Sequence, residues 1–143
     1  MLVSQILKAK GDMVFTATPA DTLSDVAAQL HARKVGAVVV VSDQGEVVGI
    51  ISERDVVSAV ANDGITALEQ TIDCCMTRDV IFATPGETVD SLLSRMTDRR
   101  IRHLPVVRDG RLAGIVSIGD LVKWKISEVE AEADGLKQYI AAG

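Results

Sequence analysis

The sequence predicts an α/β (α+β) fold made of one β-α-β-β-α unit used twice, and three observations carry that prediction. The chain repeats itself at a near-constant offset. Within each copy, apolar runs of strand length alternate with apolar residues at helical spacing. Both copies then close on the same pattern, Val48-Gly49-Ile50-Ile51-Ser52-Glu53-Arg54-Asp55 and Ala113-Gly114-Ile115-Val116-Ser117-Ile118-Gly119-Asp120. In each, glycine and two β-branched residues read as a buried strand that hands a serine and an aspartate to the first turn of a helix.

The duplication can be followed residue by residue. At an offset of 66, Val14, Ala17, Thr18, Pro19, Thr22, Arg33, Val40, Val41 and Asp43 meet Val80, Ala83, Thr84, Pro85, Thr88, Arg99, Val106, Val107 and Asp109. One residue is dropped in the second turn. At the resulting offset of 65, Gly45, Gly49, Ile50, Ser52, Asp55 and Val57 meet Gly110, Gly114, Ile115, Ser117, Asp120 and Val122. A unit of roughly 45 residues buries too little surface to stand alone. Two of them packed about a pseudo-twofold axis would share a core and leave clefts between them.

The elements follow in order. Val3, Ile6 and Leu7 share one side of a short helix over 3–9, which Lys8-Ala9-Lys10-Gly11-Asp12 breaks. Val14 to Thr18 reads as a strand ending at Pro19, and Thr22 opens a helix to Lys34 with Leu23, Val26, Ala27 and Leu30 as its buried stripe. Val35 to Val41 and Glu46 to Ile51 form a hairpin about Ser42-Asp43-Gln44-Gly45, and the helix carrying Asp55 ends near Gly64. Residues 65–79 read as a connector with a helical turn over Leu68 to Met76. The order then restarts: a strand from Val80 to Thr84, a helix from Thr88 to Arg100, strands from Ile101 to Val107 and Leu112 to Val116, and a helix opened by Ser117. Ile126, Val129, Ala133, Leu136 and Ile140 continue as an amphipathic tail in which Gly135 is a weak point. That tail either folds back on its own core or packs on another chain. The expected division is repeat 1 with the N-terminal helix over 1–64, the connector and repeat 2 over 65–126, and the tail over 127–143.

Composition narrows the function. Apolar residues make up 48% of the 143 and aromatics only 3%, so the core is aliphatic. A net charge of -5 and a pI near 4.9 argue against a nucleic-acid backbone as partner. No apolar run reaches the length of a membrane span, and the N-terminus lacks a signal-peptide layout, so a cytoplasmic location is expected. Cys74 and Cys75 are adjacent, without a Cys-x-x-Cys or a nearby histidine. They read as buried or half-buried structural thiols rather than a metal or redox site. Phosphate-loop, dinucleotide-loop and zinc-protease motifs are absent, which leaves little support for catalysis. His31 reads as a surface residue, and Trp124 as a core or dimer-interface residue.

The chemistry rests on the two Ser-x-x-Asp turns. A helix N-terminus offers free N–H groups to an anion. The same spacing is also a capping box, which needs no ligand. Repetition of the fold would repeat its caps, so both readings stand at this point.

The strand ending in Thr-Pro, the apolar helix, the hairpin and the Gly-h-h-Ser-x-x-Asp ending, together with Ile101-Arg102-His103-Leu104-Pro105-Val106, resemble the cystathionine-β-synthase (CBS) domain. The resemblance covers residues 1–126, and the layout is similar to that of small stand-alone bacterial proteins with one tandem CBS pair. It implies a regulatory module that binds an adenine nucleotide (AMP, or ADP, ATP or NAD(H)) in clefts between the repeats, with no metal required. On that resemblance Asp55 and Asp120 hold the ribose, and Ser52 and Ser117 contact ribose or phosphate. Ile50 and Ile115 wall the purine, and the strands ending at Thr18 and Thr84 offer their backbone edges.

The cations are distributed unequally. Arg102-His103 replaces Gly36-Ala37 of the first copy, and Gly119 replaces Arg54. Arg54, Arg102 and His103 are therefore phosphate candidates that sequence cannot apportion, with Lys10 a further one, and unequal affinities are expected. Arg54 as a solvated helix residue and His103 as a strand-end histidine are the plainer alternatives. The family resemblance further implies a homodimer and an unidentified regulated protein. A structural or interaction protein with vestigial nucleotide sites is the competing function.

Overall fold

The computed structural model describes residues 1–11 and 13–142. Asp12, read above as part of the break after the first helix, lies outside the described residues. The chain divides into two compact units, Met13–Ile81 and Met1–Asp12 with Phe82–Gly143. Each holds one repeat.

The Met13–Ile81 unit is built on a three-stranded sheet in the order β1-β2-β3. β1 (Thr16–Ala17) runs parallel to β2 (Ala37–Val41), which pairs antiparallel with β3 (Val47–Ser52). Helix α2 (Leu23–Arg33) crosses between β1 and β2, and α3 (Glu53–Asp63) follows β3. Thr22 caps α2, its hydroxyl accepting from the Asp25 N–H while Asp25 accepts from the Thr22 N–H. Leu23, Val26 and Leu30 of α2 are buried with Val38, Val40 and Ile51 in one aliphatic core. The connector contributes two 3-10 helices, Gly64–Glu69 and Ile72–Cys74, which bury Ala67 and Ile72 in that core.

The other unit contains α1 (Val3–Lys10), α4 (Val89–Arg99), a hairpin of β4 (His103–Arg108) and β5 (Arg111–Ser117), and α5 (Ile118–Ala142). Asp109 and Gly110 turn the hairpin with both φ positive, at 52° and 77°. Such a two-residue turn matches the right-handed twist of the strands. Val3, Ile6, Val89, Leu92, Met96, Leu104, Val106, Val116 and Leu121 are among its best-buried side chains.

The strand expected over Val80 to Thr84 is reduced to one bridge, Ala83 to Val106. The Ala83 backbone makes both ladder bonds, to Pro105 and Val107, but the Phe82 carbonyl turns aside to accept from Arg95. The tail does not fold back on its core. It prolongs α5 without interruption, and every described residue from Val129 onward is exposed. Cys74 also departs from expectation. The short 3-10 turn directs Ile72 inward and leaves Cys74 exposed, with Cys75 half-buried. Trp124 is half-buried and His31 exposed.

Each repeat is completed by a segment from elsewhere in the chain. In the Met13–Ile81 unit, Ile72 N–H donates to the Asp21 carbonyl and Leu23 N–H to the Gln70 carbonyl. In the other unit, Val3 N–H donates to the Glu87 carbonyl and Val89 N–H to the Met1 carbonyl. Residues 1–10 thus do for the second repeat what residues 70–79 do for the first, at an offset of 69. The division drawn above at residue 64 follows the repeats. The division by packing places α1 with the second one.

Candidate functional site

Both Ser-x-x-Asp turns form where the sequence places them, at the junctions of β3 with α3 and β5 with α5. Ser52 is extended, with φ -115° and ψ 168°, and its hydroxyl accepts from the Asp55 N–H at 3.4 Å. Asp55 Oδ2 in turn accepts from the Ser52 N–H at 2.9 Å and from the Ser52 hydroxyl at 3.2 Å. The second copy repeats this geometry, with Asp120 N–H donating to Ser117 Oγ at 3.1 Å and Ser117 N–H to Asp120 Oδ2 at 2.9 Å. All four side chains are half-buried. The capping box is therefore real in both units, and each aspartate keeps Oδ1 without a donor among the described residues.

The two carboxylates differ in their surroundings. Lys10 Nζ lies 2.6 Å from Asp120 Oδ2 and also donates to the Ile115 carbonyl at 2.9 Å. Half-burial alone would raise the Asp120 pKa. The Lys10 hydrogen bond and charge, with the Ser117 N–H, outweigh it and hold the carboxyl below its ordinary value. Asp55 has no ion-pair partner among the described residues. At the offset of 69 that relates the two completing segments, Lys10 corresponds to Asp79. The Ile50 carbonyl, which corresponds to that of Ile115, accepts instead from the Thr77 backbone at 2.9 Å.

The remaining predicted residues are divided between the two units. Ile50 and Ile115 are half-buried, each two residues before its serine. His103 pairs with Ser117 across the β4–β5 ladder, and the Arg102 carbonyl accepts from the Ile118 N–H, so this basic pair lies at the N-terminus of α5. Arg54 is exposed in the first turn of α3. Thr18 and Thr84 are engaged within their own turns. Asp21 accepts from the N–H and hydroxyl of Thr18, and Glu87 from those of Thr84, while both threonine carbonyls accept a backbone N–H. Their local bonds would have to open for a ligand to use these edges.

Sequence reasoning placed Lys10 as a phosphate candidate but missed its pairing with Asp120. The partners are 110 residues apart, and only the exchange of completing segments brings them together. An open pocket of about 700 Å³ between α1 and the β4–β5 hairpin is lined in part by Lys8, Arg108 and Leu112. None of the predicted ligand residues lines it. Among the described residues no helix is long and apolar enough to cross a membrane, and no cluster is suited to a metal ion.

Comparison with known proteins matches residues 10–62 and 71–127 to the CBS domain family. The crystal structure of the CBS-domain containing protein ATU1752 from Agrobacterium tumefaciens is 46% identical, with a TM-score of 0.84 over 85% of this chain and 91% of that one. The CBS domain pair of protein MJ0100, solved with 5′-methylthioadenosine and S-adenosyl-L-methionine, is 30% identical, with a TM-score of 0.80 over 90% of this chain and 98% of that one. PAE2072 from Pyrobaculum aerophilum, solved with AMP, is 26% identical, with a TM-score of 0.75 over 84% and 89% of the two chains. The twofold Gly-h-h-Ser-x-x-Asp ending, the two β-α-β-β-α repeats and the family match over both of them agree: this chain is a tandem CBS-domain protein.

Proposed function

We propose that this protein is a non-catalytic regulatory module that binds an adenosine nucleotide at its two Ser-x-x-Asp turns. The single observation that carries the reading is the spare oxygen on each half-buried aspartate. A carboxylate held by its own cap still presents Oδ1 to a ribose hydroxyl. The purine would lie against Ile50 or Ile115. The first-turn N–H groups, with Arg54 at one site and Arg102-His103 at the other, suit a phosphate. Family members with AMP and with adenosyl ligands support the ligand class. Among adenylates AMP is the first choice, ahead of ADP, ATP and NAD(H).

Regulation would follow by linkage, since a partner protein that prefers the liganded state gains affinity when nucleotide binds. A cytoplasmic homodimer is part of the same proposal. The exposed apolar residues Ile126, Val129, Leu136 and Ile140 recur at helical spacing along α5 and suit a second copy. Sedimentation of the full chain over a range of concentrations tests it, and a monomer throughout would overturn it.

Calorimetric titration of AMP, ADP, ATP and NADH into wild type, Asp55→Ala and Asp120→Ala tests nucleotide binding. Two sites in wild type and one in each variant are expected. A folded protein that binds none of the four at millimolar concentration would reduce both turns to helix caps.

A further inference from the structure

The two turns share a carboxylate geometry but differ in the second donor on Oδ2. At Asp55 the donors are the Ser52 N–H and the Ser52 hydroxyl. At Asp120 they are the Ser117 N–H and the Lys10 ammonium. An acceptor oxygen has two lone pairs, so Oδ2 is full in both turns. A vicinal diol binds a carboxylate as a fork, with one hydroxyl on each oxygen, and the second donor must therefore leave. The Ser52 hydroxyl leaves by rotating about its C–O bond. Lys10 leaves only by giving up a charge-assisted contact of 2.6 Å together with its bond to the Ile115 carbonyl. That exchange is favourable when another anion receives the ammonium, and unfavourable when none does.

We propose that Lys10 is a specificity-determining residue that makes the Asp120 site select nucleotides bearing a 5′-phosphate over uncharged nucleosides. A phosphate draws the ammonium off Oδ2 and frees the carboxylate for the ribose. An uncharged nucleoside meets a carboxylate whose Oδ2 is still held. The Asp55 site has no such gate, because the residue corresponding to Lys10 there is Asp79, and it accepts charged and uncharged adenosine compounds more evenly. The inference rests on the adenylate-binding reading above and adds a difference in selectivity between the sites.

The experiment titrates AMP and adenosine by calorimetry into the full chain carrying Asp55→Ala, which leaves the Asp120 site to be read alone. The same titrations are made with Lys10→Met and Lys10→Arg added. AMP should bind about tenfold or more tighter than adenosine with Lys10 present, a gap of about 1.4 kcal/mol or more. In Lys10→Met the ratio should collapse from both sides, with AMP weaker and adenosine tighter. Lys10→Arg, which keeps the charge, should retain the preference and guards against a purely structural effect. An unchanged ratio in Lys10→Met, a loss of affinity for both ligands alike, or an Asp120 site that binds neither ligand while wild type binds at Asp55 would each overturn the gate and leave nucleotide binding standing. Wild type that binds neither ligand would overturn the adenylate reading and the gate with it.

Discussion

Gly49 and Met76 meet with no room for a side chain between them: a β-carbon on Gly49 would lie 2.8 Å from Met76 Sδ and 2.9 Å from the Thr77 carbonyl oxygen. Gly114 stands in the same relation to Leu7, where a β-carbon would fall 2.6 Å from Cδ2. The glycine that recurs in both copies of the motif is thus the place where the completing segment presses on the last strand of its repeat. It brings Thr77 into backbone contact with Ile50 in one unit, and α1, with Lys10 at its end, onto β5 in the other.

The two glycines should not respond alike to alanine. At Gly49 the obstacle includes the Thr77 carbonyl, which accepts from the Ile50 N–H, and backbone there cannot give without breaking that bond. Gly49→Ala should lower the unfolding free energy by about 1 to 3 kcal/mol, as overpacking commonly does. At Gly114 the obstacle is one methyl of a leucine, which can rotate, so Gly114→Ala should cost less. Urea denaturation at equal m-value compares them, and an equal or larger loss at Gly114 would refute the backbone argument.

The Lys10–Asp120 pair should give the stability a defined acid dependence. The Asp120 pKa is lowered on folding, so the folded state binds fewer protons than the unfolded one near that pKa. The contribution is complete above the ordinary aspartate value of about 3.9 and is lost as pH falls through the lower, folded value. Wild type should exceed Asp120→Asn in urea midpoint at neutral pH, and the gap should narrow steadily below pH of about 4. A gap of constant size down to the acid transition would show that the charge is not what the pair contributes.

The adjacent thiols should react at separate rates. Cys74 is exposed, whereas Cys75 is half-buried, and its pKa is raised by that burial and then by the negative charges of Asp55 and Cys74. Because the thiolate is the reactive form, Ellman's reagent should label Cys74 first and Cys75 slowly. Asp55→Asn removes one of the raising charges and should speed the second phase in the folded protein. Two equal phases in wild type, or a second phase indifferent to Asp55→Asn, would contradict this arrangement.

Much of this protein is local, and what is local could be read from the residues. The 3–4 spacing of Leu23, Val26 and Leu30 and the Asp109-Gly110 turn need only neighbours in sequence. So do the caps at Ser52 and Ser117, since a helix start satisfies its own N–H groups within one turn. Duplication made the family legible as well, because two copies of one pattern fix the unit and its count. Tertiary structure decided which segment completes which repeat, how far Ala83 could pair before Arg95 took the Phe82 carbonyl, and which aspartate acquired a cation. Those outcomes depend on partners distant in the chain, as Lys10 is from Asp120, and an ammonium takes the carboxylate that packing brings within reach. Periodicity could predict α1, but only the packing of Leu7 against Gly114 decides which carboxylate Lys10 meets.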